Sequence, residues 1–211
     1  MDEKKIANFS YVQMSLVLAF NALTELGFLS KTRSKEEVEM VMGPPFRYYG
    51  VTLQYMFIME YVKLLERDYL RFPTQHFASL EKLSLKVLDT VGLDFKLLHD
   101  ENIVELEVIR STDFFKMTRE RRDKKFGHTD GNYGADPMSM AGLSDDDLSA
   151  ASEQLAALKV INDRCTVPFG YEFMFQHPDD QTDNFIKFTS VYKRYYYAHY
   201  FDALKEGYHL F

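Results

Sequence analysis

Residues 100–126 read DENIVELEVIRSTDFFKMTRERRDKKF. Ile103, Leu106, Ile109 or Arg110, Phe114 and Met117 recur every three or four positions, which places them on one face of a helix. Asp100 is a residue type that caps helix starts, and Gly127 is one that stops them. The spacing therefore predicts a single helix from Asp100 to about Phe126. Its apolar stripe has to be covered by other elements, and the rest of the chain supplies more helices to do so.

Ile6, Phe9, Val12, Leu16, Phe20 and Leu23 predict a helix over residues 5–28 that is apolar on several sides, with Gly27 as its stop. Ser34 with Glu37 is a capping pair for a short helix to Met42, ended by Gly43-Pro44-Pro45. A long helix follows from about Phe46 to Leu70, with Val51, Tyr55, Ile58, Val62 and Leu65 as its apolar face. Residues 77–91 form another, through Leu80, Leu83, Val87, Leu88 and Val91, with Gly92 just beyond. Ser144 with Asp147 caps a helix carrying Leu148, Leu155, Leu158 and Ile161, and a last helix spans roughly 182–205. Residues 129–143 read as a loop. Alternation with period two is confined to Tyr171-Glu172-Phe173-Met174-Phe175, a candidate short strand. The expectation is one all-α domain over residues 1–211, an up-and-down bundle of about six or seven helices.

Composition narrows the function classes. With 46% hydrophobic and 27% charged residues the chain is globular rather than disordered. One cysteine, Cys165, excludes an internal disulfide and reads as a small buried side chain. Met14 to Phe20 is apolar, but Asp2 and Glu3 spoil the basic start of a signal peptide. Gln13 and Asn21 interrupt the run well short of the ~18 residues of a membrane span. A soluble, cytoplasmic protein without a membrane segment is expected. None of the six histidines has zinc-ligand spacing, and no glycine-rich phosphate loop occurs, so no metal or cofactor is expected.

A net charge of −7 argues against a surface built for nucleic acid, but the charge is uneven. Residues 116–125 hold Lys116, Arg119, Arg121, Arg122, Lys124 and Lys125 against Glu120 and Asp123, a local balance of +4. Any anion site is therefore local. Basic residues in a last helical turn also offset the helix dipole, which is the plain structural account of the same cluster.

Arg122-Asp123-Lys124-Lys125-Phe126-Gly127-His128-Thr129-Asp130 resembles the signature of the HEPN superfamily: an arginine, a polar residue, and a histidine within four to six residues. The fuller form is similar to the abortive-infection, AbiU-like branch. The resemblance covers about nine residues. It implies a metal-independent ribonuclease of phage defence or of a toxin–antitoxin system, acting as a homodimer with RNA as substrate and an antitoxin protein as partner. Carried onto this sequence, Arg122 binds the scissile phosphate, His128 moves a proton, and Asp123 orients one of them. Arg121, Lys124 and Lys125 add phosphate affinity, with Arg121 as the substitute for Arg122. His128 is followed by Thr129-Asp130, so the His-x-Tyr pattern of toxins controlled by nucleotidyltransferase antitoxins is missing.

On a straight helix, positions 122 and 128 lie about 240° apart, so they converge only where the helix breaks. The same resemblance also accommodates a non-catalytic module that binds a partner protein or a nucleotide. In that reading the aromatic run Phe185, Phe188, Tyr192, Tyr195, Tyr196, Tyr197, Tyr200 and Phe201 is the contact surface; its helical spacing otherwise fits packing in a core or subunit contact.

Overall fold

The computed structural model describes residues 3–67, 79–126, 142–171 and 181–198. Eight α-helices follow one another, with no strand among the described residues: α1 (Glu3–Ser30), α2 (Lys35–Val41), α3 (Pro44–Leu65), α4 (Leu80–Val91), α5 (Lys96–Ser111), α6 (Asp113–Arg121), α7 (Asp145–Thr166) and α8 (Gln181–Ala198). The all-α class expected from the sequence is therefore correct. The count of six or seven falls short because the helix expected over 100–126 is two helices.

Thr112 makes that break. Its backbone turns to an extended conformation, φ −67° and ψ 150°, and its hydroxyl accepts the Phe115 N–H at 3.2 Å. The same hydroxyl donates to the Ile109 carbonyl at 2.7 Å, so one side chain satisfies both helix ends. Apolar residues continue in phase across the break because both helices face the same core, which is why the periodicity alone hides it. The start also differs. Helix α5 begins at Lys96, and Asp100 lies inside it, paired with Lys96 rather than acting as a cap.

The end of α1 and the buried face of α3 also differ from expectation, for physical reasons. Helix α1 runs through Gly27 to Ser30, because burial of Phe28 outweighs the ~1 kcal/mol that a glycine costs a helix interior. On α3 the buried face is Leu53, Phe57, Ile58, Tyr61, Val62, Leu64 and Leu65, whereas Val51 and Tyr55 are exposed. Ser34, Ser79 and Ser144 cap their helices through their hydroxyls, and Asp147 completes a reciprocal box with Ser144. Gly92 stands at φ 84°, past the end of α4, where a side chain would be strained. Only Tyr171 of the candidate strand 171–175 is described, and most of the loop expected over 129–143 lies outside the described residues.

Helix α1 packs chiefly along α3, with α7 against α1. Val12, Leu16, Ala19 and Ala22 of α1 are fully buried with Phe57, Tyr61 and Val62 of α3 and Leu155, Leu158 and Ile161 of α7. Among the described residues, Phe9–Ser30 is the one stretch long and apolar enough to cross a membrane. By length and hydropathy the stretch is therefore not short of a span, contrary to what Gln13 and Asn21 suggest; in this fold Val12, Leu16, Ala19 and Ala22 line the core while Tyr11 and Met14 are exposed.

Polar side chains link α4, α5 and α7 inside the molecule. Asn102, fully buried, donates to Ser84 Oγ at 3.1 Å and lies 3.7 Å from Cys165 Sγ. Its carbonyl accepts from Arg164, and Ser84 Oγ meets His99 Nδ1 at 3.0 Å. Burial pushes the Cys165 thiol up to about 12, so it is an inert core group.

An ion cluster holds α8. Arg33 is almost fully buried; it pairs with Asp183 at 2.8 Å and donates to the Phe28 carbonyl. Lys187 also pairs with Asp183 at 2.8 Å, and this hydrogen bond, aided by Arg33, holds the Asp183 carboxyl below its ordinary range despite its burial.

Two outcomes are expected. Phe114→Ala, which empties a core ring site under α6, lowers unfolding free energy by about 3 kcal/mol in urea denaturation. Asp183 contributes fully above its unfolded pKa and loses that contribution as pH falls through its depressed folded value. Asp183→Asn therefore melts below the parent protein at pH 7, and the gap narrows as pH falls below the ordinary carboxylate range. A gap that stays constant down to pH 3 would contradict this assignment.

Candidate active site

Aromatic packing sets the position of the basic segment. Phe57 and Tyr61 stack at 5.4 Å on α3, and Phe114 tilts against both, at 6.4 and 5.7 Å. Phe115 meets Tyr61 edge-on at 6.2 Å. The Tyr61 hydroxyl, raised in pKa by burial, donates to Gln154 of α7, and Gln154 donates in turn to the Thr112 hydroxyl at 3.3 Å. The start of α6 is thus tied to α3 and α7. Phe114, Phe115 and Thr118 face inward, which leaves Lys116, Arg119 and Glu120 on the outer side.

After Arg121 the backbone widens into a π-helical turn over Arg122–Phe126. Such turns bond i to i+5 and recur at functional sites. They also rotate later positions away from where the about 100° per residue of an α-helix would put them. Helical winding therefore changes between Arg122 and Phe126, just before the motif histidine. His128 itself lies outside the described residues, as does the side chain of Lys125.

Arg122 is half-buried and held by two carboxylates. Asp123 Oδ1 accepts from Arg122 Nε at 2.9 Å and from Nη2 at 2.6 Å. Glu66, the residue that closes α3, binds Nη1. Burial disfavours the charge on Arg122, but the hydrogen bonds and charges of Glu66 and Asp123 outweigh it and raise its pKa. A guanidinium has five N–H donors, so three contacts leave two unassigned.

The motif arginine and its polar neighbour are brought together, and Asp123 fixes the plane of the guanidinium. Arg121 is half-buried and Arg119 exposed, and neither makes an ion pair among the described residues. Lys124 is exposed and paired with Glu120, and Lys116 pairs with Asp113 at 3.3 Å. Glu66 lowers the balance of +4 over residues 116–125 by one, to +3. Arg119, Arg121, Arg122 and Lys124 face Glu120, Asp123 and Glu66, a net +1 among these residues.

Glu66 is the site residue that sequence reasoning missed. Its carbonyl accepts from Ser79 Oγ at 2.8 Å, and Arg110 Nε donates to the neighbouring Leu65 carbonyl at 2.8 Å. Arg110 also pairs with Glu81 and Glu107, at 2.5 and 2.7 Å, and Arg67 bridges the same two carboxylates. The ends of α3, α5 and α6 and the start of α4 therefore meet in one ionic cluster, and no local pattern in the chain announces it. Among the described residues, no three metal-binding side chains gather at any point.

The C-terminal aromatic helix behaves differently from a core element. Asp183, Ile186 and Ser190 are buried, but Phe185, Phe188 and Val191 stand 58%, 70% and 60% exposed on the outer face of α8. Phe185 rests 6.0 Å from Phe46, and the two rings with Pro45, Tyr49 and Thr182 line an open groove of about 500 Å³. The tyrosines from 192 onward have side chains outside the described residues.

Compared with protein-family models, curated proteins and solved structures, the chain matches none.

Removing the Arg122 cation takes away the positive charge that Glu66 and Asp123 share. Arg122→Met is expected to lower unfolding free energy by about 2 kcal/mol, and adding Glu66→Gln to recover part of the loss. Urea denaturation of the two single variants and the double variant measures the coupling; strict additivity would refute it.

Proposed function

We propose that this chain is a HEPN-like ribonuclease with Arg122 and His128 as its working pair. The supporting observation is the Asp123–Arg122 contact at the π turn. A guanidinium fixed in plane, with N–H groups left over, suits the binding of a phosphate. Arg122 would stabilise the charge that grows on the phosphoryl oxygens in the transition state. His128, whose ordinary pKa lies close to neutral, would take the proton of the ribose 2′-hydroxyl as that oxygen attacks phosphorus. The P–O bond to the leaving 5′-oxygen breaks, and that oxygen needs a proton in turn. A second copy of the motif, facing the first across a two-fold axis, would supply it. Arg121, Lys124 and Lys125 would add affinity for the backbone without reading bases. We read the protein as cytoplasmic and homodimeric, in a phage-defence or toxin–antitoxin setting with an antitoxin protein as partner.

One observation favours a second reading, a non-catalytic helical module. Phe185, Phe188 and Val191 form an apolar ridge beside the groove at Phe46, a surface suited to a protein partner.

Purified protein incubated with single-stranded RNA in EDTA decides between them. Cleavage is expected, with loss in His128→Ala and a fall of about 10²- to 10³-fold in Arg122→Ala, both variants retaining helical circular dichroism. RNA left intact by the parent protein, or cut equally well by His128→Ala, would end the catalytic reading.

A further inference from the structure

We propose that Glu66 occupies the place on Arg122 that a substrate phosphate oxygen takes, so that RNA binds by displacing it. The inference rests on the reading of Arg122 as a phosphate ligand. A carboxylate and a phosphate present the same thing to a guanidinium, a pair of anionic oxygens that accept its N–H groups. The two carboxylates on Arg122 are not equivalent. Asp123 is the adjacent residue and takes the Nε–Nη2 edge through two hydrogen bonds. Glu66 comes from another helix and takes Nη1 alone.

Displacement is mechanically simple. The Glu66 backbone is pinned, its N–H to the Lys63 carbonyl and its carbonyl to Ser79 Oγ. Neither bond involves Arg122, so the Glu66–Arg122 contact can break while both of these backbone bonds at the α3–α4 corner persist. Both partners also reach solvent, at 17% exposure for Arg122 and 14% for Glu66, so a released carboxylate enters water instead of being trapped in the core. Release of Glu66 raises the balance of the cluster from +1 to +2. The carboxylate would thus keep the arginine positioned and its charge screened until an anion of higher charge density arrives.

The test uses the full-length chain with two probes, inorganic pyrophosphate and a single-stranded RNA whose 2′-O-methyl riboses prevent cleavage. Glu66→Gln is expected to bind both about tenfold more tightly than the parent. Glu66→Asp, which keeps the charge but shortens its reach, is expected to gain in the same direction by less. The gain vanishes in the Arg122→Ala background. Asp113→Asn, which removes a carboxylate of the same helix that touches neither Arg122 nor a proposed phosphate ligand, changes affinity by no more than about twofold. Unchanged or weaker binding by Glu66→Gln, or a gain that survives Arg122→Ala, would overturn the displacement.

The two readings fail separately. If unmodified RNA is cut through Arg122 but Glu66→Gln gains nothing, displacement is wrong and the ribonuclease stands. If no form cuts RNA but Glu66→Gln gains pyrophosphate through Arg122, the ribonuclease is wrong and displacement stands.

Discussion

The contact of Phe114 and Phe115 with Phe57 and Tyr61 carries the rest of the arrangement. Four rings on two helices decide how α6 lies on α3, and α6 carries the basic segment. Aromatic pairs add directional preference to the burial of large areas, so they fix rotation about the helix axis as well as position. With α6 fixed, Arg122 arrives where α3 ends, and Glu66 is the residue there. The ion pair is a consequence of the ring packing, which acts before any charge is considered.

Charge in this molecule has to be counted in space. The run from Lys116 to Lys125 is strongly cationic along the chain, yet Glu120 and Asp123 pair laterally within it and Glu66 takes one more unit from its balance. What survives is a positioned arginine with two less constrained neighbours, Arg119 and Arg121. Such a site favours geometry over bulk attraction in a chain whose net charge is −7.

Features that arise within one turn of chain were legible in the sequence. Ser34, Ser144 with Asp147, and Gly92 each act through bonds to residues three or four positions away, so residue type and spacing suffice. Thr112 has the chemistry of a cap, but an apolar phase running unbroken through Leu106, Ile109 and Phe114 conceals it. The outward face of Phe185 and Phe188 was hidden for a related reason, since helical spacing of aromatics does not say which side meets the core. Pairing of Glu66 with Arg122 was out of reach. It joins one of 32 acidic residues to one of 25 basic ones across 56 positions, and only the packing of α6 on α3 selects it.

The chain through Ser84, Asn102 and Cys165 has a consequence for conformational uniqueness. Apolar helices slide past one another at little cost, since one methyl group replaces another. A buried amide that must find a hydroxyl on α4 and a guanidinium on α7 tolerates no such slip, because each lost bond leaves a polar atom stranded away from water. Asn102 therefore works as a key for three helices at once. It trades some stability for a single register of α4, α5 and α7.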